Sequence, residues 1–235
     1  FLQVPEEQKC HNIEDMIDFI YGSSNPEDDL THSAILTLTN SCASWINELI
    51  QDKLPGEYSV FKSIDAAIKD TNSDSFDVPT EFLNSLSPPS LPPHELKIKT
   101  GSIVMLIRNL NVNAGLCNGT RLVIHQISRR VLLCKIANGS RKGEIVMIPK
   151  IDLDYDKEDL PFILKRRQFP LRPSFAMTIN KSQGQSFQNV GIFFDQSTFS
   201  HGQLYVALSR AKTSTGIKIC APENLMKNIV YKEVL

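Results

Sequence analysis

The sequence predicts an α/β protein whose chain is interrupted by a small antiparallel β-barrel. Three observations predict this class. A strand, a turn and an amphipathic helix follow one another around residue 40, β-type runs fill the middle of the chain, and helical and strand patterns alternate again after residue 173. The 235 residues contain no evident internal repeat or low-complexity tract.

The first 50 residues contain two helix patterns and one strand pattern. Residues 9–20 have apolar side chains at helical spacing, at Ile13, Met16, Ile17 and Ile20. The run SAILTLT (33–39) predicts a strand and the run CASWINELI (42–50) a helix, for which Asn40 or Ser41 is the expected N-cap. The buried face expected for this helix consists of Trp45, Ile46, Leu49 and Ile50.

A proline-dense connector then predicts a domain boundary. YSVFKSI (58–64) predicts a strand and VPTEFLNSL (78–86) a short helix. In SPPSLPPHEL (87–96), by contrast, the prolines disfavour both a helix and a central strand. We therefore expect one domain to give way to another near residue 95.

Beyond the connector, four β-type runs predict the barrel. They are separated by turn-forming clusters, in which Asn118-Gly119 and Asn138-Gly139 are the expected hairpin turns. The runs are GSIVMLIRNL (101–110), TRLVIHQI (120–127), RVLLCKIA (130–137) and GEIVMIPKI (143–151). DLDYDKEDLP (152–161) reads as an acidic loop and LPFILKRRQFPLR (160–172) as a last extended segment.

The α/β pattern returns after the barrel. MTINKSQG (177–184) predicts a polar helix start that leads to a Gln-Gly turn, and VGIFFD (190–195) predicts a strand. QLYVALSR (203–210) predicts an apolar helix and GIKICAP (216–222) a strand.

Composition excludes several classes of protein. No run reaches the length of an uncharged membrane span, and the acidic start lacks the basic region of a signal peptide. Five scattered cysteines without C-x-x-C spacing favour reduced thiols over disulfides or zinc. Charge is divided, with 4 Lys and Arg against 17 Asp and Glu in residues 1–96, and 21 against 9 in residues 97–235. This asymmetry is typical of a protein in which a basic part faces a polyanion and an acidic part does not. Taken by itself, the charge distribution is explained equally well by ordinary solvent-exposed surfaces.

Two segments carry residues suited to phosphate chemistry. The turn from Lys181 to Ser186 offers backbone N–H groups beside a glycine together with small hydroxyls, which suits either a phosphate site or an ordinary surface helix end. Arg210 ends an apolar helix, where a cation is favourable against the helix dipole whatever its task. The functional alternative is that the Arg210 guanidinium reaches a γ-phosphate across a domain interface.

Taken together, these segments resemble the later motifs of superfamily-one DNA helicases. The resemblance is strongest to the petite-integration-frequency (PIF) family, RecD-like enzymes that include the helicase part of Helitron transposon proteins. It is carried, in the motif order of the family, by ILTLTN (35–40), LKIKTGSIVMLIRNLN (96–111), LCNGTRL (116–122), FAMTINKSQGQSF (175–187) and FSHGQLYVALSRAK (199–212). It runs from about Ser33 to the end of the chain and implies a second RecA-like motor domain at 33–95 and 173–235 and an SH3-like β-barrel insertion at 96–172. Residues 1–32, before the resemblance, are expected to form an N-terminal helix and a linker.

The resemblance also implies site residues and partners. Arg210 would be the catalytic arginine finger. Residues near the nucleotide would be Lys181, Gln183, Gly184 and Gln203. DNA contacts would come from Thr37, Thr39, Asn40, Thr178, Asn180 and Ser182. Independently of the resemblance, Arg108 and His201 are further candidates for contacts with DNA phosphates. The implied cofactors are ATP and Mg²⁺, and the implied partner is single-stranded or forked DNA in an intracellular, nuclear setting.

Several residues keep a plain structural alternative. A lone histidine such as His201 is more often a helix cap or a packed residue than a phosphate contact, and Tyr205 is equally explained by core packing. Phe169, Phe175 and Phe187 fit a core better than base stacking. The chain also departs from many relatives, which carry His at the position of Asn180 and Pro at that of Leu38.

The basic residues of the barrel region suit either a sugar-phosphate backbone or simple solvation. They are Arg108, Arg121, Arg129, Arg130, Arg141, Lys142, Lys165, Arg166, Arg167 and Arg172.

The parts of a helicase motor that bind the triphosphate are not in this sequence. It contains no Gly-Lys dipeptide, and hence no G-x-x-x-x-G-K-[ST] loop, and no apolar strand that ends in Asp-Glu. We therefore expect a first RecA-like domain upstream to hold ATP and Mg²⁺, and this chain alone to hydrolyse no ATP. Two hypotheses follow, the C-terminal half of a 5′ to 3′ DNA helicase or a non-catalytic, transposon-derived module that binds nucleic acid.

Overall fold

The computed structural model describes residues 5–22, 30–68, 78–157, 159–195 and 202–221. The chain divides into two compact units, one formed by residues 1–53 and 174–235 and the other by residues 54–173. Among the described residues, no helix is both long and apolar enough to cross a membrane.

Unit 1 is built around a four-stranded parallel sheet with the strand order β12-β1-β13-β14. The strands are β1 (Ser33–Thr37), β12 (Ala176–Thr178), β13 (Asn189–Phe193) and β14 (Ile217–Cys220). The helices are α1 (Ile13–Tyr21), α2 (Asn40–Lys53) and α4 (Gln203–Leu208). All five residues of β1 are buried, as expected for a strand that is paired on both sides.

The predicted helix near the N-terminus is confirmed as α1. The side chain of Asn12 caps it by accepting a hydrogen bond from the backbone N–H of Asp15 at 2.7 Å. Its four apolar positions Ile13, Met16, Ile17 and Ile20 are all buried. The hydroxyl of Tyr21 at the last position donates to the carbonyl oxygen of Phe175 at 2.6 Å and so attaches the helix to the start of β12.

Helix α2 is confirmed, but two details of its prediction are wrong. Thr39 caps the helix instead of Asn40 or Ser41, because its hydroxyl accepts from the backbone N–H of Cys42 at 3.2 Å. The buried face is also rotated from the predicted one, since Trp45 is 44% exposed. The buried residues are Cys42, Ala43, Ile46, Asn47, Ile50 and Gln51.

Asn47 explains why a polar residue lies on that buried face. Its side-chain oxygen accepts from the N–H of Ala176 at 2.9 Å, and its side-chain nitrogen donates to the carbonyl oxygen of Ala176 at 2.8 Å. A buried amide is stable only when its donors and acceptors are paired. Asn47 thus joins α2 to β12 and sets the position of the segment that follows β12.

Unit 2 is mostly antiparallel β-structure. Its strands are β2 (Ser59–Lys62), β3 (Ile64–Ile68), β4 (Glu95–Ile98), β5 (Ile103–Leu106), β6 (Arg121–Ile127), β7 (Val131–Ile136), β8 (Ile145–Pro149), β9 (Ile151–Tyr155), β10 (Ile163–Gln168) and β11 (Leu171–Pro173). They form sheets ordered β11-β5-β6-β7-β8, β3-β10-β9 and β2-β4, and the short helix α3 (Thr80–Ser85) precedes β4.

Two apolar clusters form the core of unit 2. The larger one joins β4, β5, β6, β7, β8 and β11 through fully or nearly fully buried side chains, among them Leu96, Val104, Leu122, Leu132 and Ile148. The smaller one packs α3 and the connector against β9 and β10 through Leu83, Leu91, Leu153, Tyr155 and Leu164. The predicted core aromatic Phe169 is fully buried in the larger cluster.

Two further predictions differ from this arrangement. The acidic run 152–161 is not simply a loop, because β9 covers Ile151–Tyr155, in which the buried Leu153 and Tyr155 alternate with the exposed Asp152 and Asp154. The second compact unit begins at Leu54, whereas the sequence placed residues 54–95 with the motor domain. The cause is strand pairing, since β2 pairs with β4 and β3 pairs with β10.

The five cysteines are free thiols, as the sequence predicts. Burial raises the pKa of the Cys134 thiol to about 12. Burial, and to a lesser degree the carboxylate of Asp195, raises the pKa of the Cys42 thiol to about 12 as well. Both thiols are therefore unreactive at neutral pH and act as small apolar core groups.

Candidate functional site

The Gln-Gly segment follows directly from β12 in unit 1. Residues Ile179–Ser182 form one 3₁₀ turn, not the polar α-helix start expected from the sequence. The hydroxyl of Ser182 donates to the carbonyl oxygen of Ile179 at 2.7 Å and closes the turn from within. Gly184 then takes φ +80°, a backbone conformation that L side chains rarely adopt. Gly184 therefore redirects the chain, while Gln183 is presented on the surface.

Arg210 is attached to this segment by its side chain and by its main chain. Its Nη1 donates to the carbonyl oxygen of Gln185 at 3.0 Å, and its own carbonyl accepts from the N–H of Phe187 at 2.8 Å. Phe187 is buried, as predicted, and forms a parallel β-bridge with Ala211. The two sequence segments predicted to sense a phosphate are thus joined at one place in unit 1.

The remaining contacts of the Arg210 guanidinium are local. Its Nε donates to the carbonyl oxygen of Val206 at 3.0 Å, and its Nη2 donates to the hydroxyl of Ser209 at 2.9 Å. A guanidinium has five N–H donors, so these contacts and the one to Gln185 engage three of them. Within the described residues, one N–H on each terminal nitrogen remains available to a further acceptor.

A second part of the site lies where β1 and β12 end side by side. The two strands are parallel, and Thr37 lies opposite Thr178 in the register. Lys181, beyond β12, donates to the side-chain oxygen of Asn40, beyond β1, at 3.0 Å. Ligands of parallel α/β sheets bind beyond the carboxyl ends of the strands. The structure therefore brings Lys181 and Asn40, predicted to meet nucleotide and DNA respectively, to a position suited to a ligand.

Several of the predicted DNA-contacting residues have their polar groups engaged inside the protein. Thr37 is fully buried, and its hydroxyl donates to the carbonyl oxygen of Thr39 at 3.0 Å. Ser182 is fully buried and Thr178 is 9% exposed. These three side chains lie inside the protein, where they support the loop. The side chain of Asn180, by contrast, is exposed.

Around α4, the predicted residues have different surroundings. Gln203 is buried at 5% exposure. Its side chain could therefore contact a nucleotide only if the nucleotide lay directly against α4. Tyr205 is 71% exposed, which excludes the core-packing alternative within this structure. His201 lies outside the described residues.

Sequence reasoning missed three groups that hold Arg210. The carbonyls of Gln185 and Val206 have no signature in a sequence, because every residue carries one. Ser209 was visible as the neighbour of Arg210, but only the structure shows that its hydroxyl accepts from Nη2 and donates to Val206. Among the described residues, the buried side-chain oxygen of Gln185 also has no hydrogen-bond partner.

Arg108 lies in unit 2, in the segment after β5. Its Nη2 donates to the carbonyl oxygen of Asp154 at 3.3 Å, and its buried Nε has no partner in the part of the chain that the structure describes. The side chain is partly exposed, so the predicted contact with DNA is sterically open to it.

Two of the barrel arginines considered for backbone tracking, Arg121 and Arg166, are fully buried, so that alternative is wrong for them, and a third, Arg172, is partly buried with its guanidinium bonded inside the protein. Arg166 pairs with Asp65 at 2.6 Å, both side chains being inaccessible, and donates at 3.0 Å to each of two main-chain carbonyls, those of Pro92 and Leu83. Arg172 donates to the carbonyls of Pro88 and Leu91. Arg121 is also fully buried.

These arginines also explain why the proline-dense connector does not separate two domains. Prolines leave carbonyl acceptors without adding donors, and the guanidinium groups of Arg166 and Arg172 use those acceptors to hold the connector within unit 2. Burial, followed by the nearby charge of Arg166, lowers the pKa of Arg172.

Two family models match the chain, one in each part of this arrangement. Residues 81–127 match the 2B domain of the DNA helicase Pif1, and residues 173–217, which contain the Gln-Gly segment and Arg210, match the UvrD-like helicase C-terminal domain. The chain is homologous to the C-terminal region of Pif1 ATP-dependent DNA helicases.

Curated relatives match most of the length of this chain in sequence. The ATP-dependent DNA helicase Pif1 of Campylobacter jejuni is 30% identical over 224 residues, which cover 90% of this chain and 46% of that protein. The ATP-dependent DNA helicase PIF1 of Xenopus laevis is 32% identical over 180 residues, which cover 74% of this chain and 25% of that protein. The chain thus spans between a quarter and about half the length of these relatives.

Solved structures establish the same fold. The Pif1 helicase of Candida albicans matches with a TM-score of 0.69 at 23% identity, over 99% of this chain and 53% of that one. Bacteroides Pif1 bound to single-stranded DNA matches with a TM-score of 0.62 at 24% identity, over 97% of this chain and 46% of that one. The predicted fold class is confirmed, a mixed α/β fold of the Pif1 C-terminal region with its β-rich 2B insertion.

Proposed function

We infer that this chain supplies the C-terminal motor region of an ATP-dependent 5′ to 3′ DNA helicase. The observation that supports this most is the attachment of Arg210 to the Gln-Gly segment through the carbonyl of Gln185 at 3.0 Å. This contact couples a cation that could reach a γ-phosphate to the turn that follows β12, as a nucleotide-driven motor requires. The homology to Pif1 helicases supports the same function.

In this proposal, Arg210 is the arginine finger. ATP supplies the phosphoryl group that is transferred to water, and the upstream RecA-like domain holds both ATP and Mg²⁺. The two remaining N–H donors of Arg210 fit the γ-phosphate oxygens, and Ser209 and Val206 fix the plane of the guanidinium. Because Gln185 lies two residues beyond Gln183, any displacement of Arg210 toward the nucleotide also displaces the Gln-Gly turn.

The DNA strand is proposed to pass beyond the carboxyl ends of β1 and β12. Lys181 and Asn40 meet there, and Asn180 and Gln183 are exposed beside them. Structures of Bacteroides Pif1 with single-stranded DNA, and of Pif1 helicases at forked double-stranded DNA, support DNA as the partner. The structure of Bacteroides Pif1 with ADP-AlF3 and single-stranded DNA supports a nucleotide as the second ligand.

The domain assignment is part of this proposal. The parallel sheet of unit 1 would be the second RecA-like motor domain, and the antiparallel strands of unit 2 would be the SH3-like barrel together with its supporting segments. The affinity to Helitron-type members and the nuclear location remain predictions from the sequence.

The test is strand separation by the full-length protein that contains this chain. We expect ATP-dependent unwinding of a duplex with a 5′ single-stranded tail, and at least about tenfold slower unwinding of the matched duplex with a 3′ tail. Stopped-flow fluorescence with a donor and a quencher on the two strands measures both rates. DNA binding without DNA-stimulated ATP hydrolysis would instead support the non-catalytic binding module.

A further inference from the structure

Unit 2 carries an exposed apolar surface that neither the core nor the proposed motor uses. On β8, Ile145 is 60% exposed and Met147 is 69% exposed. The register places Leu133 of β7 opposite Met147 and Val131 of β7 opposite Pro149. We call the surface formed by Val131, Leu133, Ile145 and Met147 the β7–β8 outer face.

This face is the outer side of a regular strand alternation. Leu132, Cys134 and Ile148 point into the core, and the residues between them point outward. Outward positions of a sheet with one solvated face are usually polar. Aliphatic side chains at these positions are therefore a departure that the folding of the barrel does not require.

The face ends at an open sheet edge. β8 is the last strand in the order β11-β5-β6-β7-β8 and pairs only with β7 among the described residues. An edge strand presents main-chain N–H and C=O groups to an added strand, and soluble proteins usually protect such edges with charge or proline. On β8, proline is present only at the final position, Pro149.

The surroundings of the face are strongly basic. From residue 121 to residue 150 the sequence contains seven Lys and Arg and one Glu. Of these cations only Arg121 is fully buried. Lys135 lies directly opposite Ile145 in the register, and Arg129 and Arg130 occupy the exposed turn that leads into β7. Charge complementarity therefore favours an acidic partner for this face.

We propose that the β7–β8 outer face is a docking site for an extended acidic peptide in which apolar and acidic residues alternate. The peptide adds as a strand to β8, its apolar side chains cover Ile145 and Met147, and its carboxylates face Lys135 and the Arg129–Arg130 turn. Main-chain hydrogen bonds give such a complex its affinity, and the alternating side chains give it specificity.

A nucleic acid fits this face less well. Its phosphates would match the positive charge, but bases bind proteins by stacking on aromatic rings or through polar groups, and the face offers aliphatic side chains. An open strand edge also has no complement in a nucleic acid backbone, whereas it has one in an extended peptide.

The proposal is tested on the full chain with a fluorescein-labelled ten-residue peptide that alternates valine and glutamate. Fluorescence anisotropy measures its Kd for the wild type and for the double variant Ile145→Ser/Met147→Ser. Val112→Ser is the matched control, because Val112 is an equally exposed aliphatic residue of unit 2, at 65% exposure, outside this face. Equal melting temperatures establish that the variants fold.

We expect the double variant to raise the Kd of the peptide at least about tenfold and Val112→Ser to leave it within about twofold. Lys135→Glu should also raise the Kd of the peptide. The increase relative to the wild type should be larger at low salt, because salt screens the interaction between this residue and the glutamates of the peptide. The proposal is overturned if a peptide of the same composition with its valines in one block binds equally well, or if the double variant binds like the wild type. It is also overturned if only an oligothymidylate binds this face, or if the wild type self-associates through it and excludes the peptide.

Discussion

Replacing Arg210 with alanine in the full-length protein is expected to lower kcat for DNA-stimulated ATP hydrolysis by about a thousandfold or more. The size follows from the role, because a guanidinium that stabilises the charge of the transferred phosphoryl group contributes about 10³ to 10⁵ in kcat. The KM for ATP should change far less, since the upstream domain is proposed to hold the nucleotide in the ground state. Steady-state hydrolysis with saturating single-stranded DNA measures both constants.

Two control variants make this result specific. Lys53→Ala removes a cation of unit 1 whose partner is Asp18 at 2.6 Å in an exposed ion pair, and it should leave kcat within about twofold. Arg210→Lys keeps the charge but loses the three-way hydrogen bonding to Gln185, Val206 and Ser209, so it should recover little activity. A twofold loss of kcat or less in Arg210→Ala would show that the arginine-finger assignment is wrong.

Replacing Asp65 with alanine is expected to destabilise unit 2 by about 3–5 kcal/mol. Among the described residues, the substitution leaves the buried guanidinium of Arg166 with the carbonyls of Pro92 and Leu83 as its partners. A buried charge that loses its counter-charge costs this much because neither water nor another anion replaces it. Native-state hydrogen exchange of the β3 and β10 amides measures the free energy of opening in that part of the fold.

The matched control is the neighbouring ion pair on the same sheet. Asp152 and Arg167 are 3.1 Å apart, with side chains that are 45% and 55% exposed. Asp152→Ala should therefore cost less than about 1 kcal/mol, because solvent screens an exposed pair. Equal effects of the two substitutions would contradict the structural role assigned to the Arg166–Asp65 pair.

Much of the fold follows from apolar periodicity. The helix at 13–21 and the strands β1, β5, β6, β7 and β13 all coincide with patterns that bury one side or the whole of a segment. The predictions failed where local signals were ambiguous. The acidic residues of β9 suggested a loop, although they alternate with two buried side chains. The prolines suggested a domain boundary in a connector that arginines hold in place.

The candidate site was less predictable than the fold. Motif resemblance indicated Arg210, Gln183 and Gly184, and the structure brings their segments together. The burial of Ser182 and Thr37 was not predictable, because a small hydroxyl serves equally well inside a turn or on a surface. The charge of Arg121, Arg166 and Arg172 was also misleading, since a paired guanidinium inside the protein has the same sequence signature as a solvent-exposed one.

The central claim is that the Gln-Gly turn and Arg210 act as one unit, and a double-mutant cycle tests it most directly. DNA-stimulated kcat is measured for Gln183→Ala, Arg210→Ala and the double variant in the full-length protein. We expect the double variant to be no slower than Arg210→Ala within about twofold, because residues that act together are non-additive. If the two segments act independently, the losses multiply, and kcat of the double variant is lower than that of Arg210→Ala by the full factor that Gln183→Ala causes alone. That result would contradict the proposed coupling.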